Sequence, residues 1–99
     1  MLFTLQTIRH RVNAEKVVGE EDPPELKVER YHRPGAPCAG LMVYARLSDG
    51  AWVACGWIRE KDKDIVMNLS AGGSVESLTC VLQESYIKKG YHVIKVNIF

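Results

Sequence analysis

The stretch from residue 41 to residue 59 constrains the fold of this chain more than any other. Residues 41–47 and 51–59 are rich in β-branched, aromatic and aliphatic side chains, and Ser48-Asp49-Gly50 separates them. An Asp-Gly pair between two such runs predicts a hairpin with a type I′ turn, because that turn needs positive φ at both central residues. A two-residue turn also sets the register. It places Leu47 opposite Trp52, Ala45 opposite Ala54, Val43 opposite Gly56 and Leu41 opposite Ile58, all on the face expected to form the core. Alternation sends Met42, Tyr44, Arg46, Val53, Cys55, Trp57 and Arg59 to the other face, where Trp57 opposes Met42 and lies diagonal to Tyr44.

The flanking segments read as more sheet. Residues 2–12 look like a strand whose alternation changes phase between Leu5 and Ile8, as a bulge would produce. Residues 13–25 turn polar and end in the acidic, proline-stiffened run Gly19-Glu20-Glu21-Asp22-Pro23-Pro24-Glu25, a solvated connector or a contact arm for a basic partner. Residues 26–33 alternate with period two and stop at Pro34-Gly35-Ala36-Pro37. A second hairpin is expected through residues 60–64 into a strand at 65–69. Ser74 is a good N-cap, Glu76 suits a helix start, and Lys88-Lys89-Gly90 supplies positive charge and a stop. With Val75, Leu78, Val81, Leu82, Ser85 and Tyr86 at three- and four-residue spacing, these signals predict a helix over 75–89. Residues 91–99 form a last strand. The expected fold is therefore α+β: an antiparallel β-meander sheet in the order β-β-β-β-β-α-β, one helix packed on one face, and a single domain spanning 1–99. The last strand is too β-prone to stand as a bare edge, so it should be paired internally or in a homodimer.

Composition narrows the function classes. Thirteen Lys and Arg against twelve Asp and Glu leave a net charge of +1, so no global field draws nucleic acid or membrane. A hydrophobic fraction of 46% with 25% charged residues belongs to an ordinary folded protein that needs no cofactor. No run approaches the ~18 apolar residues that span a bilayer. The apolar start followed by Arg9, His10 and Arg11 reverses the order of a secretory signal, which makes the cytoplasm the expected compartment. On that reading Asn68-Leu69-Ser70 is an accidental sequon.

No motif announces chemistry. His32, Cys38, Cys55 and Cys80 show no zinc-ligand spacing, and His10 and His92 have no local partner for a nucleophile. Ala71-Gly72-Gly73-Ser74 lacks the lysine and spacing of a phosphate loop. The expectation is a protein without catalytic, metal or cofactor sites.

One pattern does suggest recognition. An aromatic residue two positions before an arginine occurs at Tyr31/Arg33, Tyr44/Arg46 and Trp57/Arg59. In a strand, positions two apart share a face, so each unit presents a ring beside a guanidinium, the pair that dominates protein hot spots and also stacks on unpaired bases. Tyr31, Arg33, Met42, Tyr44, Arg46, Trp57 and Arg59 are accordingly the candidate partner-binding residues, with Glu20-Glu21-Asp22 as the next candidate. The leading expectation is a protein-binding module, an inhibitor or adaptor of a host complex. In size and style it resembles small accessory proteins encoded by viruses or mobile elements. The alternatives are a single-stranded nucleic-acid binder using the same rings and a structural homodimer building block.

Three widely spaced cysteines are odd in number and form no disulfide framework. The intact mass of protein purified without reductant should therefore equal that of the reduced form. A stoichiometric loss of paired hydrogens would contradict the compartment assignment.

Overall fold

The computed structural model describes residues 1–19 and 22–99. Six strands are present: β1 (Leu2–Thr4), β2 (Leu26–Tyr31), β3 (Gly40–Arg46), β4 (Trp52–Trp57), β5 (Cys80–Lys88) and β6 (Tyr91–Ile98). Two helices, α1 (Arg11–Val18) and α2 (Glu60–Leu69), lie in the β1–β2 and β4–β5 connections. The class is α+β with an antiparallel sheet, as expected, but the order along the chain is β-α-β-β-β-α-β-β.

The sheet order β1-β6-β5-β2-β3-β4 divides into two three-stranded units. β2, β3 and β4 form a meander, and β6 runs between β1 and β5. One residue pair, Leu26 with Cys80, joins the units on one side. On the other side the chain beyond β1 reaches β4: the Gln6 N–H donates to the Trp57 carbonyl at 2.8 Å, and the Trp57 N–H donates back at 2.9 Å. That bridge closes the sheet on itself. Phe3, Leu5, Leu26, Val28, Leu41, Val43, Ala45, Ile94, Val96 and Ile98 point inward and form the buried cluster. α1 adds Ala14 and Val17 to it and α2 adds Val66.

The expected hairpin at 41–59 forms with a different turn. The Leu47 N–H donates to the Ala51 carbonyl at 2.8 Å, and Gly50 takes φ 89°, so the loop has three residues with glycine in the left-handed position. Ala45 consequently opposes Val53 and Tyr44 opposes Ala54, one residue away from the two-residue register. A bulge then restores Val43 opposite Gly56 and Met42 opposite Trp57. Cys55, expected outside, is the extra residue and turns inward, where burial pushes its thiol up to about 12. Trp52, expected inside, lies on the outer face.

The helices lie elsewhere than predicted. Residues 75–89 are not a helix: Val75–Ser77 is a single 3-10 turn, and Cys80–Lys88 is β5. Ser74 does cap, accepting from the Glu76 N–H, but it caps only that turn. The reason lies in residues 89 and 90. Lys89 at φ 51° and Gly90 at φ 80° make a two-residue hairpin turn that pairs Lys88 with Tyr91 and brings β6 against β5. The same glycine that would stop a helix here reverses a strand, and β-prone Val81, Tyr86 and Ile87 follow their partner.

The strand expected over 2–12 ends early, and its phase change marks the start of helix. A 3-10 turn at Ile8–His10 runs into α1, and Asn13, assigned to a connector, sits within that helix. The Asn13 side chain donates to the Ala54 carbonyl at 2.9 Å, tying α1 to β4. Residues 60–69, expected as a turn and a strand, form α2 with Glu60 and Asp62 in the first turn, where acids favour the positive helix end. Among the described residues no helix is long and apolar enough to cross a membrane.

The last strand is internally paired, lying between β1 and β5 with Ile98 fully buried. Deleting Ile98 and Phe99 removes a core side chain and the backbone pair between Thr79 and Phe99. A buried Ile truncation alone costs about 2–5 kcal/mol, so the melting temperature should fall by roughly 10 °C or more. An unchanged melting curve would show the end of β6 to be dispensable.

Candidate binding groove

Alternation in β2, β3 and β4 places Lys27, Glu29, Tyr31, Met42, Tyr44, Arg46, Trp52, Ala54 and Trp57 on the outer face of the meander. The two ends of this face differ physically.

At one end the aromatic surface is occupied from within. The Lys27 ammonium lies 4.3 Å from the Trp52 ring centre and 5.6 Å from that of Tyr44. It also pairs with Glu29 at 3.0 Å. Such cation–π contacts are worth about 0.5–2 kcal/mol, and they use the ring faces a partner would need. Burial, followed by the Glu29 carboxylate, raises the Tyr44 hydroxyl above its ordinary 10. Arg46 is likewise engaged, 3.6 Å from Glu25.

At the other end the rings are open. Trp57 meets the edge of Tyr31 with centroids 5.6 Å apart and is tilted against His10 at 6.1 Å. Burial lowers the His10 pKa below its ordinary 6.5, so the ring beside Trp57 is neutral at pH 7. Gly40 makes room for the indole: a Cβ at that position would lie 2.7 Å from Cζ3 of Trp57.

Trp57 and Tyr31 line a groove of about 500 Å³ together with Ile8, Arg9, Arg33 and Pro37. Among the described residues neither Arg9 nor Arg33 has a carboxylate within ion-pair distance. The one acid lining the groove among the described residues, Glu60, is held by Lys63 at 3.0 Å. Lys63 in turn donates to the Ala39 carbonyl at 3.3 Å and pins the loop before β3 to α2.

The structure thus separates the seven residues singled out in the sequence. Tyr31, Arg33 and Trp57 come together in the groove. Tyr44 and Arg46 share the face but sit at its occupied end. Met42 stands opposite Trp57 on the same face yet is only 3% exposed, so it presents almost no surface to a partner. Arg59 has left the sheet and stands at the N-cap of α2, outside the groove lining. Of the second candidate, Glu20 and Glu21 lie outside the described residues, and Asp22 is exposed.

Sequence reasoning missed Ile8 and Arg9, which line the groove, and His10, which meets Trp57 outside that lining; all three arrive because the chain crosses from β1 to β4 at Gln6. No local signal encodes that crossing. Lys27 and Trp52 were legible in principle: correct placement of the three-residue turn puts Trp52 outside, on the same face as Lys27 with only β3 between their strands. The chain matches no protein-family model, and the comparisons with curated proteins and solved structures found no match. The groove is therefore read from its own geometry.

Because only Gly40 leaves space for the indole, Gly40→Ala should displace Trp57 while the sheet survives. In a Trp52→Phe background, where Trp57 is the sole tryptophan, its emission maximum should shift with the far-UV circular dichroism unchanged. An unaltered spectrum would show that Trp57 is not seated over Gly40.

Proposed function

We propose that this chain is a non-enzymatic protein-binding module, an inhibitor or adaptor, whose contact surface is the open end of the aromatic face. The carrying observation is the contrast along that face. Lys27 fills the Tyr44/Trp52 end, whereas Tyr31 and Trp57 border an unfilled groove with Arg9 and Arg33 at its margins. Aromatic rings and arginines at the centre of a concave surface are the usual anchors of protein interfaces. Free thiols at Cys38, Cys55 and Cys80 support placing this activity in the cytoplasm.

Single-stranded nucleic acid is the less favoured ligand for these rings. Glu60 lines the groove, Glu29 stands on the same face two residues from Tyr31, and the net charge of +1 provides no extended cationic track. A second reading, self-association, draws on Leu2, Val81 and Phe99, which are exposed on the β1-β6-β5 unit. Sedimentation of the wild type and of Val81→Arg distinguishes it: only a real interface would give a dimer that the arginine dissociates.

The binding reading is tested by capture from a cell lysate with the wild type and with Tyr31→Ala/Arg33→Ala. Both positions are exposed, so the variant should keep its circular dichroism and melting temperature. A protein retained by the wild type after nuclease treatment and lost by the variant is the expected outcome. Nuclease-sensitive capture, or equal capture by both forms, would overturn the reading.

A further inference from the structure

We propose that the groove takes an acidic peptide segment, with carboxylates on either side of an apolar or aromatic residue. This inference rests on the binding function proposed above and specifies its ligand. The ring arrangement carries it. Trp57 stands between Tyr31 and His10, and each flanking ring belongs to a segment that also supplies a guanidinium: Arg33 two residues beyond Tyr31, and Arg9 immediately before His10. Both arginines line the groove, and among the described residues neither is paired.

The site therefore combines an apolar surface with two guanidinium groups that are unpaired among the described residues. The one acid that lines it among the described residues, Glu60, has its charge offset by Lys63 at 3.0 Å, so the local balance favours an anion. Guanidinium groups bind carboxylates through paired N–H donors, and such contacts strengthen beside apolar surface that excludes water. Hydrophobic contact comes from the indole, Pro37 and Ile8, which is 61% exposed. A volume of about 500 Å³ is in the range that holds a few side chains of a bound segment. A nucleic-acid strand would need cations in series along its backbone, whereas this groove offers two arginines beside an apolar surface.

The probe is a random heptapeptide library displayed on phage and panned against the wild-type protein. Recovered sequences are then synthesised with their acids intact and with Asp→Asn and Glu→Gln replacements. The expected peptides carry Asp or Glu on both sides of an aromatic or aliphatic residue. Their affinity should fall at least about tenfold on amide replacement, and by a similar factor against Arg9→Glu/Arg33→Glu protein. They should also lose binding to Tyr31→Ala.

Tyr31-dependent peptides without acidic bias, or peptides indifferent to amide replacement, would overturn the acidic ligand while leaving the groove as a protein-binding site. Peptides that bind Tyr31→Ala as well as the wild type would overturn the groove reading itself. Displacement of the peptides by an oligo(dT) strand would transfer the site to nucleic acid and overturn both. A library yielding no Tyr31-dependent binder would do the same.

Discussion

Two backbone hydrogen bonds between Gln6 and Trp57 hold together the parts of this molecule on which the rest depends. Each contributes a net of only about 1 kcal/mol, but their position matters more than their strength. They join the end of β1 to the end of β4, which closes the sheet and pairs backbone at edges that would otherwise be open to other chains. They also fix where the chain leaves the sheet. The 3-10 turn at Ile8–His10 begins directly after the bridge, and α1 follows it to pack against β4, β5 and β6. The Thr7 hydroxyl reinforces the junction by donating to the His92 carbonyl at 2.7 Å. Closure therefore produces core, helix placement and groove together: Arg9 and His10 reach Trp57 only because Gln6 is bonded to it.

The aromatic face shows how charge within a sheet decides which surface is free to recognise something else. Lys27, Tyr44 and Trp52 lie on three adjacent strands, close enough for the ammonium to occupy both ring faces. Glu29 holds the same ammonium from its own strand. Among the described residues no cation lies over Trp57, whose ring meets Tyr31, His10 and the bare backbone of Gly40. Rings of similar chemistry on one face thus have opposite roles, structural at one end and available at the other.

Local patterns carried much of the sheet and little of the helical structure. Period-two alternation identified β2 and β3, the β-rich run after Tyr91 identified β6, and the inward set Leu41, Val43 and Ala45 was correct. Failure came where one local signal serves two structures. Lys89-Gly90 suits a helix C-terminus and a tight hairpin equally, and only pairing of β5 with β6 selects the hairpin. Glu60 to Asp64 suits a charged turn and an acidic first helical turn, and burial of Val66 selects the helix. The Asp-Gly signal marked a real turn but not its length. The error moved Trp52 and Cys55 to the wrong faces until the bulge restored the register.

The amino-acid sequence by itself determined the α+β class, the antiparallel character of the sheet, most strand positions, and the concentration of rings and arginines on one meander. These follow from residue type and short-range spacing, which act on the chain before any long-range contact forms. Tertiary structure alone decided the closure at Gln6, the positions of both helices, and the division of the aromatic face into an occupied and an open end. Each depends on groups far apart in the chain, Gln6 with Trp57, Leu26 with Cys80, Lys27 with Trp52, that meet only once the strands are in register. A pattern with a period of two residues carries no record of such meetings.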